Sequence, residues 1–484
     1  MQEIYFKKEA REKLFNGANK LHDAVAATLG PNGKTVIVTN ERGEQVVTKD
    51  GVTVAKAIQF KDPVENIGAN LIKEVAELTL SKAGDGTTTS IVLATAFINN
   101  LKEFNSTEIN KAFDEIIPKV IKKLEENSRK LEKSNVKYVA SISANNDLQI
   151  GNIIQQAYNH ASIVKVEESN LSEDKLKLVT GMSLPVSYFS KHFITNLKKG
   201  EVVYDEPYIL LIDGTLNNLK PFEHVIKRIA ENDESLIIIA ENVNETTLRL
   251  LETNVISKVL KTCVIKTPGF AQHRKDLLND LQHFTGAKVI KDFNSPVSFQ
   301  SLGKLKSIKV NKTNSLLVKH DEVDISDYLN DLKQYLESED LENYDKSLVQ
   351  QRIENLESNI SIIKVGGGSE IEMKERFDRY DDAVRAVACA LEEGIVEGGG
   401  MALNWCFKSL SNDISNIEIK ILESLLAPYQ MITDNNSLIN IKDMFEQNII
   451  DPLKVTRTAL ENAVSVAKTI LSTDVVVLNE YQWN

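Results

Sequence analysis

Apolar residues recur at spacings of three and four between residues 9 and 29, at Leu14, Ala18, Leu21, Val25 and Leu29, and this period predicts an amphipathic helix. The pattern stops at Gly30-Pro31-Asn32-Gly33, a dense run of helix breakers. Two short strand-like runs follow at 35–39 and 45–48, joined by turn residues 40–43. A second helix is expected over 63–81, after which residues 83–90 (AGDGTTTS) run directly into the apolar segment 91–98. Long polar helices are expected to fill 107–133. From about 180 to 300 the character changes, and buried-strand candidates at 208–212, 236–240 and 288–290 alternate with helical patterns. Such alternation predicts an α/β layer domain with parallel strands. Residues 325–360, rich in Glu, Asp, Lys and Leu, read as a solvated helical pair, and a long helix resumes through 382–393 before Gly398-Gly399-Gly400. The Gly- and Thr-rich loops therefore fall at 28–89 and 366–451, with none between. That distribution predicts a nucleotide domain built from both ends of the chain, with another domain inserted into it.

Composition narrows the class. A length of 484 residues corresponds to about three domains at roughly 150 residues each. Hydrophobic residues at 42% and charged residues at 26% exclude general disorder. Lys plus Arg is 57 against 69 for Asp plus Glu, a net charge of -12, which argues against nucleic acid as a partner but leaves room for a local nucleotide site. Cys263, Cys389 and Cys406 are far apart with no CxxC spacing, which suits a reducing compartment and excludes both a disulfide scaffold and a Cys-based zinc site. The N-terminal charges leave no apolar signal region, and no apolar run approaches the roughly 18 residues of a membrane span. A soluble cytoplasmic protein without a membrane partner is expected.

Residues 83–90 are the most informative stretch. A Gly-rich loop opening a helix offers unpaired N–H groups and the positive end of the helix dipole to an anion. Thr87, Thr88 and Thr89 add hydroxyl donors, and Asp85 supplies the hard oxygen that Mg2+ favours. The competing reading is an ordinary N-capped helix. A Walker A loop is absent here. Thr28–Lys34 reads alone as a Gly-based helix stop. Lys49 and Asp50 offer a cation for phosphate and a carboxylate for water, or simply a hairpin turn. Asp382 follows Asp381 on a helix, where charges are normally just exposed. Gly398–Gly400 admits a flat ligand or terminates a helix, and Asp451-Pro452 resembles a helix start. Each is weak alone.

Their order is not. TLGPNGK (28–34), TKDG (48–51), AGDGTTTS (83–90), SISAN (141–145), PGF (268–270), EEGIVEGGG (392–400) and DPLKVTR (451–457) together resemble the GroEL-type, group I chaperonins over nearly the whole chain. The resemblance implies a divergent member of bacterial, organellar or phage origin. It implies a multidomain α and α/β fold: a mostly helical equatorial ATPase domain (1–125 and 393–484), an intermediate α/β hinge domain (126–179 and 361–392) and an inserted α/β apical domain (180–360). The implied cofactors are ATP and Mg2+, with K+ as a further ion. Thr28, Leu29, Gly30 and Pro31 would wrap the phosphates together with Asp85, Gly86, Thr87, Thr88 and Thr89, with Asp85 on Mg2+. Lys49 would meet the terminal phosphate, Asp50 and Asp382 would orient the attacking water, and Ser143 would sit near it. Gly399 would pack by the nucleoside and Asp451 would accept from the ribose. The implied partners are non-native polypeptides and further copies of the chain in a heptameric ring, single or double.

Three departures from the family pattern shape these expectations. The apical groove for polypeptide and cochaperonin retains Tyr188, Phe193, Ile226, Leu248 and Leu251, but carries His192, Glu223, Glu252 and Thr253 at other matching positions, which puts cochaperonin use in question. Between Tyr429 and Asp451 the chain is shorter than the family pattern, with Asn435 a candidate base contact, so weaker adenine selectivity and a weak or absent second ring are expected. The sequence ends at Tyr481-Gln482-Trp483-Asn484 without a Gly/Met-rich tail, and residues 475–478 read as a strand for a neighbouring subunit. An ATP-driven folding machine is the leading reading. A ring-forming holdase with weak ATP cycling is the alternative, and a small-molecule kinase leaves most of the motifs unexplained.

Overall fold

A computed structural model describes all residues except 1, 31, 40–42, 44, 170, 198, 270, 292–295, 338–342, 413, 436–443 and 480–484. The chain divides into two compact units, one of residues 1–159, 166–176 and 363–484, the other of 160–165 and 177–362. It passes between them within the strands Ile163–Glu168, Lys175–Leu184 and Asn359–Val365.

The first unit is mainly helical. The three-and-four spacing produces the helix Lys7–Ala26, whose Ala10, Leu14, Ala18, Leu21 and Val25 are completely buried. It packs on Pro63–Ala83 and Thr87–Leu101, and the helix Leu453–Ser472 packs on those two and on Ser106–Glu126. Pro63–Ala83 starts where Asp62 accepts from the Val64 and Glu65 N–H groups, with Pro63 in the first turn. The long polar stretch forms one helix that ends at Glu126, followed by a short turn and the helix Val136–Ser143. The helix expected from 382 begins earlier, at Glu370, where the Ser369 hydroxyl accepts from the Glu372 N–H.

The terminal strand differs from expectation. Val475–Asn479 pairs antiparallel with Gln2–Phe6 of the same chain, with Tyr5 opposite Val476. The first strand is short and its partner lies at the other end of the chain, so no local pattern announces the pairing.

The second unit is α/β. Its sheet runs in the order 261–266, 235–240, 208–212, 303–310, 315–319, 175–184, parallel among the first three and antiparallel thereafter. Ser235–Ala240 is buried along its whole length, as a strand with helices on both faces must be. The charged stretch forms the helices Ser326–Leu336 and Asn343–Glu357, but residues 359 and 360 already belong to the next strand. Among the described residues no helix is long and apolar enough to cross a membrane.

Candidate nucleotide site

The site is assembled entirely within the first unit, around the three residues that separate two long helices. Pro63–Ala83 ends at Gly84 with φ +71°, and Thr87–Leu101 begins after Gly86 with φ +84°. Both angles lie in the left-handed region, where a side chain is strained. Space forbids one too: a Cβ on Gly84 would stand 2.5 Å from the Arg385 Cβ, and one on Gly86 would stand 2.7 Å from Val455 Cγ1.

No side chain caps the helix at Thr87. Asp85, the obvious candidate, turns the other way, with Oδ1 accepting from the Gly86 N–H at 2.5 Å and Oδ2 from the Ser143 hydroxyl at 2.7 Å. The N-capped reading of this segment therefore fails, and the first-turn N–H groups at Thr87, Thr88 and Thr89 have no side-chain cap. An uncapped helix start of this kind is an anion site in electrostatic terms. Ser143 arrives from the end of the helix Val136–Ser143, which packs against Glu370–Glu393.

Asp50 lies beyond the hairpin formed by Val36–Thr39 and Gln45–Thr48. It caps the helix Gly51–Ala57, accepting from the Val52 N–H at 3.1 Å, the Thr53 N–H at 2.8 Å and the Thr53 hydroxyl at 2.6 Å. Gly51 lies against Thr88, for its Cβ would come within 2.2 Å of the Thr88 hydroxyl oxygen. Lys49 is exposed, and among the described residues it has no carboxylate partner.

Asp382 projects from the long helix Glu370–Glu393. Burial holds its carboxyl well above the usual range, reinforced by the charges of Asp85, Asp50 and Asp381 and opposed by Arg385. Asp85 is raised as well, by burial first and by Asp50 further, against the hydrogen bonds from Ser143 and Gly86. Among the described residues no three His, Cys, Asp or Glu form a metal cage alone.

Asp451 does not cap the helix after it. It lies in the strand Ile450–Pro452, opposite Val396 of Ile395–Glu397. Burial, then the Asp85 charge, pushes its carboxyl up to about 7 against a hydrogen bond from the Gly399 N–H. Thr28 is buried, its hydroxyl donating to the Val25 carbonyl at 2.8 Å, and Gly30 (φ +87°) continues the helix stop beside Ile432. Leu29 is half-buried. Pro31, the Asn435 side chain and residues 436–443 lie outside the described part.

Sequence reasoning missed two residues that bear on the loop. The Arg385 stem lies over Gly84 while its guanidinium pairs with Asp381 at 2.9 Å. The buried Cys389 thiol, pushed up to about 11 mainly by burial, approaches the Ala83 carbonyl at 3.3 Å. Neither belongs to any motif read above.

The groove candidates lie in the second unit. Phe193 and Leu251 have no exposed surface, and Tyr188, Ile226 and Leu248 are half-buried against the core. Apolar surface is offered instead by Leu250, Ile256 and Val259, each more than half exposed.

The sequence pattern of the TCP-1/cpn60 chaperonin family matches residues 21–421. The chain belongs to that family. This chaperonin also shares its fold with gp146, a chaperonin of bacteriophage EL 2 (Pseudomonas aeruginosa) crystallised in the presence of ATP-BeFx. One crystal form gives a TM-score of 0.68 at 23% identity and the other 0.64 at 22%, each covering 99% of both chains. The multidomain α and α/β fold expected from the GroEL-type resemblance is therefore the fold of the molecule, and a chaperone role follows from the family.

Proposed function

We infer that this chaperonin binds ATP at the Gly84–Thr89 turn and hydrolyses it to drive the folding of non-native polypeptides within a ring of identical subunits. The observation that carries the reading is an uncapped helix N-terminus that follows the buried Asp85, whose charge also raises Asp382. Buried carboxylates beside further negative charge are costly unless a cation and its anion complete them. The presence of ATP-BeFx in the gp146 crystals supports the same ligand class.

In this reading Asp85 holds Mg2+, which when bound supplies charge neutralisation of the phosphates. The Thr87–Thr89 N–H and hydroxyl groups bind phosphate oxygens, and Lys49 meets the terminal phosphate. Asp382 and Asp50 align water for in-line attack, since phosphoryl transfer to water depends on positioning and charge more than on covalent chemistry. Ser143 fixes the orientation of Asp85, while Gly399 and Asp451 face the nucleoside. Residues 1–125 with 393–484 act as the equatorial domain, 126–179 with 361–392 as the intermediate domain and 180–360 as the apical domain. Turnover then changes the affinity for clients presented with unfolded chains.

The test is phosphate release from ATP with Mg2+, together with release of a captured unfolded protein and particle mass by light scattering. Turnover coupled to client release by a particle of ring mass is expected. Client capture without turnover would replace this reading with the holdase. A 54.1 kDa monomer under every nucleotide condition would overturn the ring.

A further inference from the structure

The helix that carries Asp382 is held at its opposite face by a buried carboxylate that the proposed chemistry does not use. Asp174 lies between the strands Ile163–Glu168 and Lys175–Leu184, and its side chain is only 6% exposed. Oδ2 accepts from Arg376 Nη2 at 2.5 Å and from the Tyr380 hydroxyl at 2.7 Å. Oδ1 accepts from the Gly366 N–H at 3.0 Å. Tyr380 is completely buried. Burial, then the bond to Asp174, raises its phenol, so the hydroxyl stays protonated and donates.

Arg376 and Tyr380 are four apart and share one face of the helix. Asp382 is two residues further on, about 200° round the axis at roughly 100° per residue. The anchor and the carboxylate therefore face opposite ways, and rotation at Asp174 translates directly into displacement at Asp382. Surface ion pairs seldom fix a helix, because solvent weakens them. Here the carboxylate is buried, and three donors surround it.

We propose that Asp174 is a positioning residue for ATP hydrolysis, setting through Tyr380 and Arg376 the rotation at which the helix presents Asp382. The proposal rests on the ATPase reading above. Asp174 is also the last residue before Lys175–Leu184, the strand along which the chain leaves the first unit. The same carboxylate thus ties the departing chain to the helix of the attacking-water residue.

The test uses Tyr380→Phe, which keeps the buried ring and removes one hydroxyl, beside Asp174→Asn and each variant combined with Asp382→Asn. Steady-state ATP hydrolysis, KM and affinity for a fluorescent ATP analogue are measured on the full chain. Both single variants should lower kcat about tenfold with KM and nucleotide affinity unchanged, since small misplacements of a reacting group cost rate steeply. In the Asp382→Asn background neither should lower the rate further, because the lost positioning acts through a group already removed. Unchanged kcat in Tyr380→Phe, a matching loss of nucleotide affinity, or a full further loss in the Asp382→Asn background would overturn the proposal while wild-type turnover stands. A wild-type chain without turnover would instead overturn the ATPase reading, and this inference with it.

Discussion

The two units of this chaperonin place their polar groups by opposite rules. In the second, Ser235–Ala240 and its neighbours make a continuous apolar interior, and the parallel strands fill it as the hydrophobic effect alone would require. In the first, an equally well-packed helical core carries at one edge a set of arrangements that folding by itself disfavours. Asp85, Asp382 and Asp451 are all raised first by burial, with Asp50 adding to Asp85 and Asp85 adding to the other two, two left-handed glycines bracket Asp85, and a helix starts without a cap. Local violations of this kind are what a ligand site shows, because a bound ligand can resolve them. In the second unit the exposed apolar side chains Leu250 and Ile256 are set by the phase of the helix Glu245–Ile256.

The sharpest way to break this comparison is to remove the carboxylate proposed to align water. Asp382→Asn should lower ATP turnover by about 10²–10⁴-fold while nucleotide binding persists, as for loss of a proton-accepting group. Near-normal phosphate release would show that the strain at this edge is structural. The matching experiment in the other unit concerns stability. Phe193→Ala should cost about 3–5 kcal/mol by denaturant unfolding, because the side chain is completely buried. Leu250→Ser, at an exposed position, should stay within about 0.5 kcal/mol yet weaken capture of an unfolded client. If Phe193→Ala left stability intact and abolished capture, the family's groove positions would be contact residues here after all. A smaller effect is expected from Gly86→Ala. A left-handed residue with a Cβ costs about 1–2 kcal/mol, and the added methyl meets Val455, so melting temperature and nucleotide affinity should fall together.

Much of the first unit was readable because its requirements are local. Left-handed turns ask for Gly84 and Gly86, Thr87 to Thr89 directly follow as the proposed phosphate donors, and the core helices repeat their apolar residues within one turn. What could not be read depends on partners far away in sequence. Whether Asp85 capped its helix was decided by Ser143 from another helix, and Asp451 was drawn into a three-residue strand by Ile395–Glu397. The pairing of Gln2–Phe6 with Val475–Asn479 joins the two ends of the chain. Asp174 carried no motif at all, since its importance comes from the donors that tertiary packing brings to it. In the groove the motif positions could be mapped, but the inward turn of Phe193 and Leu251 is a matter of packing against the sheet.

The smallest effect separates a strained site from a merely buried one. Asp451 sits at about 7 in the folded chain, against an unfolded carboxyl near 4. The folded state therefore holds its proton where the unfolded state has lost it. The neutral carboxyl favours folding fully below about pH 4, and that advantage disappears as pH rises through about 7. Melting temperature of the nucleotide-free protein should accordingly decline between pH 5 and pH 8, with Asp85 and Asp382 shifting it in the same direction. Asp451→Asn should flatten part of that slope, because an amide has no proton to lose. Mg2+ with ATP should flatten it further, by supplying the cation the carboxylates lack. A melting temperature that rises across this interval in the free protein, or a slope that Asp451→Asn leaves untouched, would mean that the carboxylates at this edge are already neutralised by the fold. The first unit would then differ from the second in sequence motifs but not in stored electrostatic strain.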